Sequence, residues 1–388
     1  MKLFAKILKN GSTKVDLFSK IRKEDQLILL CCETDSDPNI SEKIEMLLEK
    51  NLDWNYILDT IINHKYKNRG SILLYLKLRT NHKVPDYVRQ LLTQIYYQII
   101  ARIIYYKNEF EKVLPTIKKY NEIILLRGVF YLYTIYKNNI IREPGDIDLL
   151  IDKKICFSFA DADHEYVPET VRNSIDVEIE YHYNFNSKTP AFGPCTYINM
   201  KEFWQRSKVI TINDIDVRIL EPEDYFLHVS HHNIIKGFVC LYRFVDLKEF
   251  IKKYNLNWNS IIERGRKYNL LTAIWLNCYV VNSLFDDEIV SENIMMKVKP
   301  GILKEWIILK LVDFDILHDP NTNKDSIYSS GLNNFKKQLL VRIPFIRIFN
   351  FHKFLLYPLK IPFIKFMYSE NFLKKKLYNL YAVFRKIM

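Results

Sequence analysis

An α+β protein, with a small mixed β-sheet carried between helical lobes, is the architecture that this 388-residue sequence predicts. Three observations lead there. Chain breakers are few, with 9 glycines and 13 prolines, so long periodic segments run on and most of the chain reads as helix. Between Asn121 and Ile219 the texture changes to short aliphatic and alternating runs, the period of strands. From Pro222 onward the helical texture returns. The division that follows is a helical lobe over 1–119, a sheet core over 120–220, a helical lobe over 221–334 and a basic, aromatic-rich helical tail over 335–388.

Taken in order, Ile44–Leu48 with Trp54, Ile57, Leu58, Ile61 and Ile62 shows i, i+3, i+4 spacing, and Val84–Glu111 continues it as one long amphipathic pattern. Gly70, Pro85 and Pro115 punctuate these helices. Ile123–Leu126 predicts a strand that ends in a turn at Arg127-Gly128, and Val129–Asn138 suits a helix. Pro144-Gly145 signals a turn, and Asp146–Ile151 reads as a strand with two carboxylates at its start. Ile175–Tyr183 alternates strictly, and Ile210–Ile219 is strand-like with a turn at Asn213-Asp214. The segment from Phe335 interleaves aromatics with lysines.

Charge narrows the partners. The net +12 is concentrated at the ends: 12 Lys and Arg follow Phe335 against Glu370 alone, and seven precede Glu24 against Asp16. Polyanions are therefore favoured, whether nucleoside triphosphate, RNA or an anionic membrane surface. The tail suits stacking on RNA, peripheral contact with an anionic membrane, or a buried layer with snorkelling lysines. The six cysteines lack CxxC or framework spacing, and there is no signal-peptide core and no apolar run of 18 residues, so a cytoplasmic location without a transmembrane segment is expected. Neither a P-loop nor a GxGxxG turn occurs.

The chemistry sits in DIDLLI. Residues two apart in a strand share a face, so Asp146 and Asp148 present neighbouring carboxylates while Ile147 and Leu149 face the core. Adjacent anions need a cation between them, and hard oxygen ligands suit Mg2+. The second acid-bearing strand offers Asp176, Glu178 and Glu180, of which Glu180 is the candidate third ligand and proton acceptor. His228, His231 and His232 have zinc-compatible spacing without a fourth ligand, which favours packing or pocket lining.

This assembly resembles the DNA polymerase β-like nucleotidyltransferase superfamily, and most closely an uncharacterised bacterial nucleotidyltransferase family with helical flanks. The matching pieces, over about residues 40–290, are IILLRG, Tyr136, Arg142 and GDIDLLI, then Glu180-Tyr181-His182-Tyr183, then EPEDYFLH at 221–228 with His231, His232 and RFVDLKEFI. Two departures stand out: Arg127 replaces the family's lysine before the glycine, and the stretch between Ile151 and Ile175 is short for the helix and strand usually found there.

The resemblance implies an enzyme that moves an NMP group from ATP or another nucleoside triphosphate to an unidentified hydroxyl or phosphate acceptor (small molecule, peptide or RNA). It implies Asp146, Asp148 and Glu180 as catalytic metal ligands for two Mg2+ ions. Arg127, Gly128, Arg142 and His182 would contact the nucleotide, Arg127 and Arg142 as guanidinium clamps. Arg142 paired with Glu143, and His182 as a core residue, are the plain alternatives. Two other functions share the fold: a kinase-like phosphotransferase, and an inactive binding module, which the shortened segment favours.

Overall fold

The computed structural model describes residues 22–34, 37–62, 71–137, 141–143, 145–152, 179–185, 198–235, 242–285 and 288–311, all within the unit Met1–Pro344. Among them are thirteen helices and one five-stranded mixed sheet, the α+β architecture expected. The tail after Leu311, and expectations for Gly70, Asp176, Glu178 and residues 153–178, lie outside the described residues.

The N-terminal helices are α1 (Lys23–Cys31), α2 (Pro38–Leu48), α3 (Trp54–Ile62), α4 (Ser71–Leu78) and α5 (Asp86–Tyr120). The i, i+3, i+4 residues Ile44, Leu47, Leu48, Ile57, Leu58 and Ile61 bury one common core with Leu27, Leu74 and Val88. Pro85 caps the start of α5, whose 35 residues span about 52 Å at 1.5 Å per residue. One stripe of α5 packs on two cores in turn, Val88 and Leu92 on the first, Ile95, Ile99 and Ile103 on the second.

Pro115 does not end this helix, contrary to the sequence expectation; it lies within α5 on the exposed face. Val113, Leu114 and Ile117 stay buried on the opposite side and hold the last turns, which offsets the hydrogen bond that the proline cannot make.

The sheet comprises β1 (Ile123–Leu126), β2 (Ile147–Ile151), β3 (Ile179–His182), β4 (Lys208–Ile212) and β5 (Ile215–Ile219), in the order β3-β2-β1-β5-β4. β1 runs antiparallel to β2 and parallel to β5, while β2 and β3 are parallel. All nine residues of β1 and β2 are buried, as central strands covered on both faces should be. Helix α6 (Arg127–Tyr133) follows β1 directly and stops short of Asn138. Thr134 Oγ1 donates to Phe130 O at 2.6 Å, and Lys253 Nζ donates to Thr134 O at 2.8 Å, so these two carbonyls at the helix end are satisfied.

The strand-like run 210–219 is a β4–β5 hairpin turning at Asn213-Asp214, with φ of 45° and 62°. Both values are positive, as a type I′ turn requires. Asp214→Gly is therefore expected to raise stability by about 0.5–1 kcal/mol and Asp214→Val to lower it by about 1–2 kcal/mol, read by urea denaturation.

Helix α7 (Met200–Arg206) precedes the hairpin, and α8 (Pro222–Ile235), α9 (Tyr242–Lys253), α10 (Trp258–Lys267), α11 (Leu271–Leu284), α12 (Glu292–Val298) and α13 (Ile302–Leu311) follow it. α9 is tied to the N-terminal helices by a fully buried pair: Lys248 Nζ donates to Glu33 Oε2 at 2.5 Å. No described helix is long and apolar enough to cross a membrane.

Candidate active site

Three chain segments meet at the C-terminal end of β1. Leu126, its last residue, pairs across the antiparallel ladder with Asp148. The next residue, Arg127, adopts a left-handed φ of 45° as the chain turns into α6. That turn delivers the guanidinium onto the Asp148 carboxylate, and the two form a hydrogen-bonded ion pair. On the other side of β2, the parallel register sets Asp148 level with Glu180 and Leu150 with His182. Period-two alternation therefore puts Asp148, Glu180 and His182 on one face.

The distances bear this out. His182 Nε2 lies 2.9 Å from Asp148 Oδ1 and 3.6 Å from Glu180 Oε2, and Arg127 lies 3.6 Å from Glu180. The Arg127 guanidinium also touches His182. Exposure rises from floor to rim: the side chains of Asp148, Arg127, His182 and Glu180 are 1%, 17%, 23% and 41% exposed. The group is a shallow well with one deeply buried carboxylate at its base.

α8 forms a further wall. β5 lies parallel beside β1, so the helix that follows it starts near Arg127. His232 Nε2 is 3.5 Å from Arg127, and the Tyr225 hydroxyl is 3.5 Å from the Arg127 carbonyl. His228, one turn before His232, packs its ring 4.1 Å from that of Phe185, and neither of its nitrogens has a hydrogen-bond partner. Burial, reinforced by Arg127 and His182, holds His228 well below the usual histidine range.

The EPEDYFLH segment is legible residue by residue. Pro222 opens α8, where its missing amide costs nothing. Glu223 accepts from the Asn257 amide at 2.9 Å. Asp224, fully buried, is clamped by Arg206 at 2.7 Å and Arg264 at 2.9 Å. Tyr225 stacks on Phe130 at 3.7 Å between centroids. The His231 ring is also buried, which pushes its pKa down to about 4.

His231 makes stability depend on pH. The unfolded chain binds this proton at about 6.5 and the folded chain only at about 4, so acid favours unfolding over that window. Stability is expected to fall between pH 6.5 and 4, by up to about 3 kcal/mol from this ring, with a shallower slope in His231→Gln, read by urea titrations at each pH.

Not every sequence-predicted residue joins the well. Asp146 lies in the bend before β2 rather than in the strand, two residues beyond the last β1–β2 pair, Leu126 with Asp148. It is partly exposed and stands outside the group formed by Asp148, Glu180 and His182. Gly128 is buried in the first turn of α6. Arg142 is buried away from solvent, with Nε donating to Asp246 Oδ2 at 2.8 Å and its guanidinium over the Tyr242 ring. Asp246 also accepts from the Tyr136 hydroxyl at 3.1 Å. Burial opposes the Arg142 charge, and Asp246 outweighs it, holding the guanidinium above its usual range. Tyr136, Arg142 and RFVDLKEFI, far apart in sequence, thus converge on one internal strut.

What the sequence reading missed is the contact of His232 with Arg127 and the pairing of Arg127 with Asp148. The only sequence signal for either was an arginine where the motif has a lysine.

A cation fits this donor set. Asp148, Glu180 and His182 each offer a ligand atom, all within 4.8 Å of one another. Asp148 Oδ2 is buried without a hydrogen-bond partner, an arrangement that is costly unless something positive completes it.

Comparison with known proteins identifies a family. A family model described as an uncharacterised nucleotidyltransferase matches residues 50–286, and no curated protein or solved structure matches the chain. The match covers more than half of the sequence and takes in the whole sheet, the Asp148–Glu180–His182 group and α8. This chain belongs to that uncharacterised nucleotidyltransferase family.

Proposed function

We propose that the protein moves an NMP group from a nucleoside triphosphate to a hydroxyl or phosphate acceptor, with a divalent cation, magnesium in the simplest form, at the Asp148 well. The observation that carries this reading is the buried Asp148 Oδ2, without a partner and level with Glu180. A divalent cation held by Asp148, Glu180 and His182 would supply neutralising charge for the triphosphate and its pyrophosphate leaving group.

The chain's own residues divide the remaining work. Asp148 anchors the cation from the floor of the well. Asp146, part-exposed and two residues before it, is the proposed carboxylate toward a second ion. Glu180, the most exposed of the group, is placed to accept the acceptor hydroxyl's proton. Arg127, already a counter-charge to Asp148, turns to clamp the triphosphate once a cation takes its place. Gly128 lets the backbone of the α6 turn approach the phosphates. Arg142, spent on Asp246, is a positioning residue that holds the lead-in to β2.

Calorimetric titration with each non-hydrolysable nucleoside triphosphate, with and without Mg2+, tests the reading. Metal-dependent binding that an Asp146→Asn/Asp148→Asn double variant loses supports it; no binding of any triphosphate overturns it. Release of labelled pyrophosphate, as opposed to transfer of the γ-phosphate, separates nucleotidyl transfer from kinase-like chemistry. One feature favours a second reading, an inactive nucleotide-fold binding module: the Arg127 guanidinium closes directly on Asp148. That reading expects triphosphate or partner binding without turnover.

A further inference from the structure

We infer that the ion held by Asp148, Glu180 and His182 is manganese in preference to magnesium, and that the His182 imidazole makes the choice. The inference rests on the reading above that this well binds a divalent cation.

The donor set is the starting point. β2 and β3 are in parallel register with Asp148 opposite Glu180, so two carboxylates meet at one level. His182 follows Glu180 by two residues on the same face, and its Nε2 points inward, 2.9 Å from Asp148 and 3.6 Å from Glu180. The residue that would make the set all-oxygen, Asp146, is in the bend ahead of β2 and outside the group. Two oxygens and one imidazole nitrogen remain.

Magnesium takes oxygen ligands in strict octahedral geometry and sheds its water reluctantly, whereas first-row transition ions also accept an imidazole nitrogen, iron to zinc most readily. Among those, manganese also suits carboxylate and water ligands, so it keeps room for triphosphate oxygens. Zinc is usually four-coordinate and needs fewer open positions than a bridging triphosphate fills.

Two further observations point to a ligand. Asp148 is fully buried and its Oδ2 has no partner. Two carboxylates face a single guanidinium, so a dication that displaces Arg127 neutralises both acids where the one guanidinium neutralises only one. Arg127, with 17% of its side chain exposed, has a route outward when the ion enters.

The test uses the full-length protein and Mn2+ alone, without nucleotide, followed by electron paramagnetic resonance. Loss of the free-ion signal measures binding, and spin-echo modulation reports any nitrogen directly on the ion. The expected result is stoichiometric binding, a 14N modulation, and Mn2+ affinity at least about tenfold above that of Mg2+ measured by competition. In His182→Gln the modulation vanishes, and Mn2+ affinity falls by about tenfold or more while Mg2+ affinity changes little.

Absence of Mn2+ binding, binding without 14N modulation, or equal affinity for the two ions in the unaltered protein overturns the inference. The spectroscopic arm needs no variant, so a misfolded substitution cannot obscure it. If Mg2+-dependent triphosphate binding persists without a nitrogen signal, this inference fails and the proposed function stands. If nitrogen-bound Mn2+ is found but no triphosphate binds, the metal site stands and the proposed function fails.

Discussion

Asp148→Asn is expected to abolish metal-dependent triphosphate binding and to lower turnover by about three orders of magnitude, equivalent to about 4 kcal/mol of barrier. The substitution keeps the shape of the side chain and removes its charge. Among the described residues the carboxylate is the only buried acid in the well, and neither described neighbour replaces it: Glu180 is half-exposed and Asp146 lies outside the group. The fold should tolerate the change, since Arg127 is partly exposed and can turn to water when its partner loses its charge. Calorimetry with Mg2+ and a non-hydrolysable triphosphate, beside a circular dichroism melt, separates loss of the site from loss of the fold. Wild-type affinity in Asp148→Asn would move the cation elsewhere and end the assignment.

The second large effect is on stability. Asp246→Asn leaves the Arg142 guanidinium buried without its countercharge, and the side chains involved are only 6% and 3% exposed. Breaking a buried pair from one side costs about 3–5 kcal/mol, because the stranded charge is far from water. Replacing both partners, as Arg142→Met/Asp246→Leu, should recover much of that loss, since the desolvation penalty of both ions disappears together. The Tyr136 hydroxyl loses an acceptor in either case, which limits the recovery. A urea double-mutant cycle measures the coupling; a value near zero would mean that the strut contributes nothing. Because Arg142 lies just before β2, the single variant should also weaken triphosphate binding although it touches no ligand.

Much of this was legible along the chain because it depends on local rules. Alternation and chain breakers located β1, β2 and the hairpin turn at Asn213-Asp214, and helical periodicity located the buried faces of α2, α3 and α5. The DIDLLI and EYHY segments could be singled out because a strand's period of two declares which residues share a face. Pro115 misled for an equally local reason: proline breaks isolated helices, and only the burial of Val113, Leu114 and Ile117 around it shows why this one continues.

What the sequence by itself determined about this protein is its α+β class, the family and the strands that bear the acids. The tertiary structure alone decided which acids meet. Sheet register set Glu180, not a neighbour, level with Asp148, and the end of β1 at Leu126 left Asp146 outside the ladder. It also decided that Arg127 faces Asp148 while Arg142 turns inward to Asp246. Two arginines in one motif are alike as letters. Their roles diverge because each takes the nearest carboxylate that the packing brings to it, and partners up to 104 residues away cannot be read from spacing along the chain.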